Sequence, residues 1–147
     1  MTVEIRDITV RDEAEWRVLW GQYLAFYGVT LPPEVTNQTW DRIVDRATAL
    51  RGRLAVLDGE VVGFALHHTH LSTWASSFDC YLEDLYLAEA ARGQGIGRAL
   101  VDDLIAHCRA AGYSRLYWHT DERNTRARKL YDSYAPYDGH VRYRIKI

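Results

Sequence analysis

Hydrophobic and polar positions along the first third of the chain predict one strand followed by two helices. The segment Val3–Ile8 alternates apolar with polar residues, which is the period of a half-buried strand. A helical stripe with steps of three and four residues follows and ends at Gly28; its members are Trp16, Leu19, Trp20, Tyr23, Leu24 and Tyr27. A second stripe follows Pro32-Pro33, with Thr36 and Asn37 as candidate caps; its members are Trp40, Ile43, Val44, Ala47 and Leu50.

The middle of the chain predicts three strands. Arg53–Leu57 and Glu60–His68 have the pattern of strands, and Asp58-Gly59 between them is a strong hairpin turn signal. A third strand runs from about Asp79 to Leu87.

That third strand contains an irregularity. Leu85 and Leu87 share a face, whereas strict alternation puts Leu82 on the opposite one. One extra residue near Glu83-Asp84 restores a single apolar face, which predicts a β-bulge there. A strand that is buried on both faces gives the same run without a bulge, and the sequence leaves both interpretations open.

The last third predicts a helix, a strand, a second helix and a final strand. The first helix, closed by Gly112, carries Leu100, Leu104, Ile105 and Cys108. Arg115–Thr120 is a short strand, and Asn124 can cap the helix that Pro136 stops; this helix carries Ala127, Leu130, Tyr131 and Tyr134. Val141–Ile147 alternates again as a strand.

The element order β-α-α-β-β-β-α-β-α-β predicts a mixed α/β (α+β) fold with one right-handed βαβ crossover in its second half. We expect residues 1–147 to form one domain, because the chain has no repeat, linker or low-complexity segment.

Composition excludes several classes of protein. With 48% hydrophobic residues and a net charge of -2, the chain is neither disordered nor built around a basic surface for nucleic acid. Its longest uncharged stretch, Val61–Phe78, is rich in His, Ser and Thr and does not fit a membrane span. Two cysteines and a charged N-terminus predict a cytoplasmic protein with reduced thiols.

Three glycines at alternate positions, Gly93, Gly95 and Gly97, lie between a predicted strand and a predicted helix. Inward-pointing N–H groups and the helix N-terminus make such a loop a binding site for phosphate or pyrophosphate. Arg92 and Arg98 flank it. The P-loop lysine is absent. Asp121 could imitate the acidic residue that holds a ribose in a dinucleotide-binding domain, but only 26 residues follow it, too few for the remaining strands of a doubly wound sheet.

The segment Arg92-Gly93-Gln94-Gly95-Ile96-Gly97 resembles the Arg/Gln-x-x-Gly-x-Gly/Ala loop of the GNAT N-acetyltransferases, and Asn124-x-x-Ala127-x-x-Leu130-Tyr131 resembles the helix after their fifth strand. Leu82–Leu87 and Tyr117–Asn124 are most similar to the branch of polyamine, diamine, thialysine and D-amino-acid acetyltransferases. Ala135-Pro136 departs from the family, where Gly-Phe often follows the last helix.

The resemblance implies a GNAT-like acyl-CoA N-acyltransferase fold, in which helices flank a central, mostly antiparallel sheet, with acetyl-coenzyme A as the co-substrate. It also implies that the protein is a homodimer. The residues that it assigns to the cofactor are Leu85, Tyr86, Leu87, Arg92, Gly93, Gln94, Gly95, Ile96, Gly97, Arg98, Asn124 and Ala127. In the family, the backbone of residues 85–87 pairs with pantetheine, and one of its N–H groups is the oxyanion donor.

Catalysis needs a neutral amine and a proton for the leaving thiolate. An amine with a pKa near 10.4 is neutral in about one molecule in a few thousand at pH 7, so a base is useful. Glu83 is the first candidate and Asp84 the second, although either can bind a cationic substrate without moving a proton. The resemblance makes Tyr131 the general acid; otherwise it is a core aromatic beside Leu130. His119 is a weaker candidate base.

A metal is not expected, because His67, His68 and His70 lack a third ligand at suitable spacing. The sequence therefore predicts an N-acetyltransferase in which a small primary amine, polyamine or amino acid attacks acetyl-coenzyme A directly. The alternatives are a protein or peptide lysine acetyltransferase and a non-catalytic acetyl-coenzyme A-binding regulatory module.

Overall fold

A computed structural model describes residues 1–147. Its strands are β1 (Val3–Asp7), β2 (Arg51–Leu57), β3 (Glu60–Leu71), β4 (Phe78–Leu87) and β5 (Arg115–Trp118), and its α-helices are α1 (Glu13–Phe26), α2 (Pro33–Val44), α3 (Ile96–Ala111) and α4 (Thr125–Asp132). Two short 3₁₀ turns, Val10–Asp12 and Glu89–Ala91, precede α1 and the glycine loop. No helix is long and apolar enough to cross a membrane.

The strands form one sheet in the order β1-β2-β3-β4-β5. The first three pairings are antiparallel, and β4 and β5 are parallel, with α3 as the crossover between them. This arrangement confirms the mixed, mostly antiparallel sheet with one βαβ unit. The predicted hairpin turn is also confirmed, because both Asp58 and Gly59 have positive φ, as a type I′ turn requires.

Each face of the sheet has its own core. On one side, aromatic residues of α1 and α2 pack on Phe64 and Leu66 of β3. On the other side, α3 packs on alternate residues of the same strands, among them Ala65 of β3 and Cys80 and Leu82 of β4. Packing on both faces fixes the register of β4, the strand that borders the site.

The bulge interpretation of β4 is confirmed. Leu66 pairs with Asp84 and His67 pairs with Leu82, so Glu83 is the extra residue. As a result Leu82 and Leu85 both face α3, and the side chain of Asp84 turns toward α1.

Three predictions about the ends of elements are wrong. Thr36 and Asn37 are not caps, because α2 begins at Pro33, where proline fits the first helical turn. The second helical stripe stops at Val44, which leaves Ala47 and Leu50 in the connection to β2. Val141–Ile147 is not a strand: residues 136–147, here named the C-terminal arm, lie outside the sheet and are exposed to solvent.

Candidate functional site

The candidate site is an opening between β4 and β5. The two strands pair only where Asp79–Leu82 lies beside Arg115–Trp118, and β5 then ends. Residues 83–87 of β4 therefore have no strand on that side, although their other side stays paired with β3. A free strand edge of this kind presents N–H and C=O groups to an extended ligand.

Backbone direction decides which amides face the opening. The N–H of Ala88 donates to the carbonyl oxygen of Val62 at 2.8 Å and so points toward β3. Direction alternates along a strand, so the N–H of Tyr86 also points toward β3, whereas those of Leu85 and Leu87 point into the opening. Tyr86 instead contributes its ring to the core under α1.

The glycine loop joins the end of β4 to α3. Gly93 and Gly95 have φ of +77° and +81°, a region that favours glycine. The first bonded amide of α3 is that of Ala99, which donates to the Gly95 carbonyl at 3.0 Å, so the preceding amides of the helix are free for an anion. A Cβ on Gly95 would meet no protein atom within 4 Å. The loop therefore has room for a phosphate group.

The side chains of the two flanking arginines are held by protein groups. Arg92 Nε donates to the Leu87 carbonyl at 3.1 Å, and its guanidinium lies 5.4 Å from the ring centre of Phe26. Arg98 Nη2 donates to Ser133 Oγ at 2.8 Å, and the guanidinium group of Arg98 stacks over the ring of Tyr134. Gln94 donates to the Ala90 carbonyl at 3.3 Å. The anion-binding capacity of the loop thus comes mainly from its backbone.

Arg126 is a cation at the loop that the sequence analysis missed. Its Nη2 lies 3.8 Å from the position that a Cβ on Gly93 would occupy, and its guanidinium makes no hydrogen bond or ion pair. It belongs to the first turn of α4, so its approach to the loop depends on how α4 packs against α3. The only sequence signal is its position next to Ala127.

Tyr131 lies on α4 at the other border of the opening. Its ring centre is 5.3 Å from that of Trp118, and its hydroxyl makes no protein hydrogen bond. Burial, with a smaller effect from nearby Tyr27, raises the pKa of Tyr131 to about 12. The phenol is therefore a neutral donor over the physiological pH range. Asn124 caps α4 by accepting the Ala127 N–H at 3.2 Å.

Asp84 is the carboxylate that the fold turns toward α1. The hydroxyl of Tyr23 donates to Asp84 Oδ1 at 2.7 Å. Burial raises the pKa of Asp84 to about 6, and the charge of Glu83 adds to that shift, whereas the hydrogen bond from Tyr23 opposes it. The pKa of Tyr23 is itself raised, first by burial and then by the charge of Asp84. The helical stripe of the sequence analysis includes Tyr23 but gives no sign of this hydrogen bond.

Glu83 has a different environment. It is exposed at the bulge, and its Oε1 lies 4.0 Å from His68 Nε2. Tyr27 lies between the two sides of the site: its ring packs against Tyr23 at 5.1 Å, and its pKa is raised by burial and by the charges of Asp84 and Asp121. The structure thus brings Asp84, rather than Glu83, into the aromatic side of the opening.

The histidines do not converge on one point. His67 faces Cys80 on the α3 side, with 3.7 Å between Nδ1 and Sγ. On the other face, His70 Nε2 is 2.7 Å from the hydroxyl of Tyr117, and His119 Nδ1 is 3.0 Å from that of Tyr81. No group of three or more His, Cys, Asp or Glu side chains is arranged to hold a metal ion.

Comparison with known proteins finds that the acetyltransferase (GNAT) family matches residues 13–134. The chain is 35% identical over 144 residues to the D-amino-acid N-acetyltransferase HPA3 of Saccharomyces cerevisiae, covering 97% of this chain and 89% of that protein. A crystal structure of a probable acetyltransferase superimposes with a TM-score of 0.86 at 24% identity, over 98% and 97% of the two chains. AAC(6')-Iy in complex with the bisubstrate analog CoA-S-monomethyl-acetylneamine gives a TM-score of 0.83 at 20% identity over 100% of both chains. Because these two structures are less than 25% identical to the chain in sequence, they show only that it shares their fold.

Proposed function

The chain belongs to the GNAT family of acetyltransferases, and on this premise we propose that it transfers acetyl from acetyl-coenzyme A to the primary amine of a small molecule, such as an amino acid, a diamine or a polyamine. The observation that carries the proposal is a carboxylate with a raised pKa, Asp84, held by Tyr23 beside the free edge of β4. Similarity along nearly the whole chain to a D-amino-acid N-acetyltransferase supports the small-amine class.

Asp84 is the proposed proton acceptor. With a pKa of about 6 it is ionised at pH 7, yet it is a stronger base than an ordinary aspartate by about two pH units. An ammonium group that enters the opening meets this charge and the faces of Tyr23 and Tyr27, which favour a cation. Asp84 then takes one proton, directly or through water, and the neutral amine is able to attack.

Leu85 and Leu87 are proposed to align the thioester. Acetyl-coenzyme A supplies the acetyl carbon, and the new C–N bond forms as the C–S bond breaks. The N–H groups of these two residues point into the opening, where one of them donates to the carbonyl oxygen as negative charge develops on it. The amides of the glycine loop, with Arg126 above Gly93, hold the pyrophosphate.

Tyr131 is proposed to act at the sulfur. Complete proton transfer from a phenol with a pKa of about 12 to a thiolate whose thiol has a pKa near 8.5 is uphill by about 5 kcal/mol. Tyr131 therefore works mainly as a hydrogen-bond donor to the developing thiolate. The thiol receives its final proton either through Tyr131, which regains one from water, or directly from solvent.

A screen of acceptors tests the proposal. Purified protein is mixed with acetyl-coenzyme A and with D- and L-amino acids, diamines, polyamines, lysine peptides and histones, and free thiol is followed. We expect release with a small amine at kcat/KM well above that with any peptide. A preference for peptides identifies a lysine acetyltransferase, and tight acetyl-coenzyme A binding with no release for any acceptor identifies a regulatory module. The first result overturns the proposed acceptor class, and the second overturns the proposed transfer reaction.

A further inference from the structure

A polar cavity of about 300 Å³ lies on the α3 side of the sheet, at the C-terminal end of that helix. Its walls come from the connection between α2 and β2, from β2 and β3, and from the end of α3. The side chains that line it include Arg46, Arg51, Arg53, His67, Thr69 and His107. The glycine loop is at the opposite end of α3, and a helix of 16 residues is about 24 Å long. The cavity is therefore separate from the proposed cofactor site.

The cavity carries more positive than negative charge. Arg53 is balanced, because its guanidinium donates to both carboxylate oxygens of Asp103 at 2.8 Å and to Asp7 Oδ1 at 2.7 Å. Arg51 donates only to backbone carbonyl oxygens of the preceding loop, at 2.6, 2.7 and 3.0 Å. Arg46 is exposed, and its guanidinium makes no hydrogen bond or ion pair. Three arginines against two aspartates leave an excess of one positive charge.

His67 is a buried ring with an unused nitrogen at this cavity. Only 3% of the residue is exposed, and its Nδ1 lies 3.7 Å from Cys80 Sγ. Its Nε2 has no protein partner. Trp16 Nε1 is the one side-chain nitrogen or oxygen that is fully enclosed without a partner, so Nε2 of His67 is open to the cavity that its ring lines. Buried polar groups normally have hydrogen-bond partners, so this nitrogen indicates a partner from outside the chain.

The neighbouring thiols decide which hydrogen bond Nε2 can make. The hydrogen bond between Cys80 and Cys108 raises the pKa of Cys80 and lowers that of Cys108, so Cys80 is its donor. The sulfur of Cys80 then accepts the N–H at Nδ1 of His67. In a neutral imidazole the other nitrogen is an acceptor, so Nε2 requires a ligand atom that carries a hydrogen.

The electrostatic potential at His67 is positive. Burial is the main cause of its lowered pKa, which is about 4. Nearby cations lower the pKa further, whereas the charge of Asp103 raises it; the cations are His107, Arg53 and Arg51. The ring is therefore neutral at neutral pH, and the surrounding cations outnumber the anions. An anion in the cavity would balance this potential.

Hydrogen-bonding groups approach the cavity from three directions. Thr69 follows His67 on the same face of β3, and its half-buried hydroxyl makes no hydrogen bond. Arg46 and Arg51 come from the opposite wall, and His107 of α3 has its ring centre 5.6 Å from that of His67. The two oxygens of a carboxylate lie in one plane, whereas phosphate oxygens point to the corners of a tetrahedron. Donors on several walls therefore suit a phosphate better.

We propose that this cavity binds a phosphate that keeps a P–O–H hydrogen, either inorganic phosphate or the monoanion of a small phosphate ester. Arg46 and the N–H groups of Arg51 that no carbonyl uses neutralise its charge, and Thr69 donates to one of its oxygens. The P–O–H group donates to Nε2 of His67. A water molecule takes about 30 Å³, so a cavity of about 300 Å³ also has room for a small organic group. This inference does not depend on the proposed acetyl transfer.

NMR of the full-length chain with ¹⁵N-labelled histidine tests the proposal. The signal of His67 is followed during titration with inorganic phosphate, glycerol 3-phosphate, sulfate or succinate at pH 6, where about half of a phosphate ester is the monoanion. We expect a saturable shift with both phosphates, and binding at least about tenfold weaker for sulfate, which has no hydrogen to donate, and for succinate. The tighter of the two phosphates identifies the free ion or an ester as the ligand. No shift with either phosphate, or equal affinity for sulfate or succinate, overturns the proposal.

A matched pair of arginine variants gives an independent measurement. Arg46 and Arg109 are both exposed, but Arg109, in the last turn of α3, does not line the cavity. Arg46→Gln keeps the backbone carbonyl that accepts from Arg51 and removes only the unpaired guanidinium. The Kd for inorganic phosphate should rise about tenfold in Arg46→Gln and less than about twofold in Arg109→Gln. Equal effects would mean that only the overall charge of the protein acts, which overturns a specific site.

Discussion

The Tyr23 hydroxyl donates to Asp84 Oδ1 over 2.7 Å and so connects α1 to the strand that borders the opening. This bond stabilises the ionised carboxylate in a place where burial disfavours it. Without this bond the pKa of Asp84 would be higher than about 6. At about 6, the carboxylate is ionised at neutral pH and is still able to accept a proton.

Removal of the hydrogen bond between Tyr23 and Asp84 should shift the pH dependence of kcat/KM. In Tyr23→Phe the carboxylate loses a bond worth about 1.5–3 kcal/mol, so the pKa of Asp84 rises by about one to two units. The acid limb of kcat/KM, where activity is lost as Asp84 becomes protonated, should shift upward by that amount. Tyr134→Phe is the control, because Tyr134 donates to Asp102 at 2.6 Å outside the site. If the acid limb of kcat/KM has the same midpoint in Tyr23→Phe as in the parent, Asp84 is not the group whose protonation causes the loss of activity.

The ionised form of Asp84 should also lower the free energy of unfolding at neutral pH. Its folded pKa is raised above the unfolded value of 3.8, so the folded state binds more protons between about pH 4 and 6. The protonated form thus favours folding below pH 4, and that contribution is lost as pH rises through 6. Asp84→Asn should therefore be more stable than the parent by about 2–3 kcal/mol at pH 8, with a smaller difference at pH 4.

Urea unfolding at the two pH values measures this difference. Glu83→Gln is the matched control, because its carboxylate is exposed and its neutralisation should change stability little. Turnover should fall strongly in Asp84→Asn and less in Glu83→Gln. The reverse order of turnover would identify Glu83 as the base.

Loss of the Tyr131 hydroxyl should slow the chemical step. Tyr131→Phe keeps the ring against Trp118 but removes the donor to sulfur, so kcat should fall about 10²-fold or more while acetyl-coenzyme A binding is retained. Stopped-assay kinetics and calorimetry separate the two effects. Tyr113→Phe, beyond the end of α3, serves as the control. An unchanged kcat would remove Tyr131 from the mechanism.

Arg126 should contribute to cofactor affinity. Arg126→Gln removes the free guanidinium beside Gly93, and we expect the KM for acetyl-coenzyme A to rise about five- to tenfold, with a weaker dependence on salt. Arg128→Gln is a fair comparison, because Arg128 Nη1 donates to the Glu122 carbonyl. Equal effects of the two substitutions would argue against a specific contact.

Two glycines at opposite ends of α3 separate backbone strain from ligand binding. Gly95 and Gly112 have φ of +81° and +72°, and neither has a protein atom within 4 Å of an added Cβ. Alanine at either position should cost about 1–2 kcal/mol of stability. Only Gly95→Ala should also weaken acetyl-coenzyme A binding by calorimetry, and an equal affinity in both variants would remove the glycine loop from the cofactor site.

Local pattern was enough to predict most of the fold. The local pattern predicted all five strands of the sheet, the Asp58-Gly59 signal predicted the hairpin, and the position of Leu82 made a bulge one of two interpretations of β4. Asn124 as a helix cap follows from side-chain chemistry that acts within a few residues. These features depend on neighbours in sequence.

Contacts between distant residues could not be predicted in this way. Tyr23 and Asp84 are 61 positions apart, and the hydrophobic stripe of α1 gives no sign that one of its rings carries a hydrogen bond to the site. Arg126 reaches Gly93 only because α4 packs against α3. The alternation of Val141–Ile147 predicts a strand that the structure does not form, because alternation carries no information about the strand with which a segment would pair.

The single unpaired residue at position 83 sets the polarity of the cleft. If Glu83 were paired in a regular ladder, every side chain after it in β4 would change sides. Asp84 would then turn into the apolar layer under α3, and Leu85 would face the phenol of Tyr23. Deletion of Glu83 would instead leave Leu82 and Asp84 as neighbours on opposite faces, so the carboxylate would keep its side of the sheet and only the local bend of β4 would be lost.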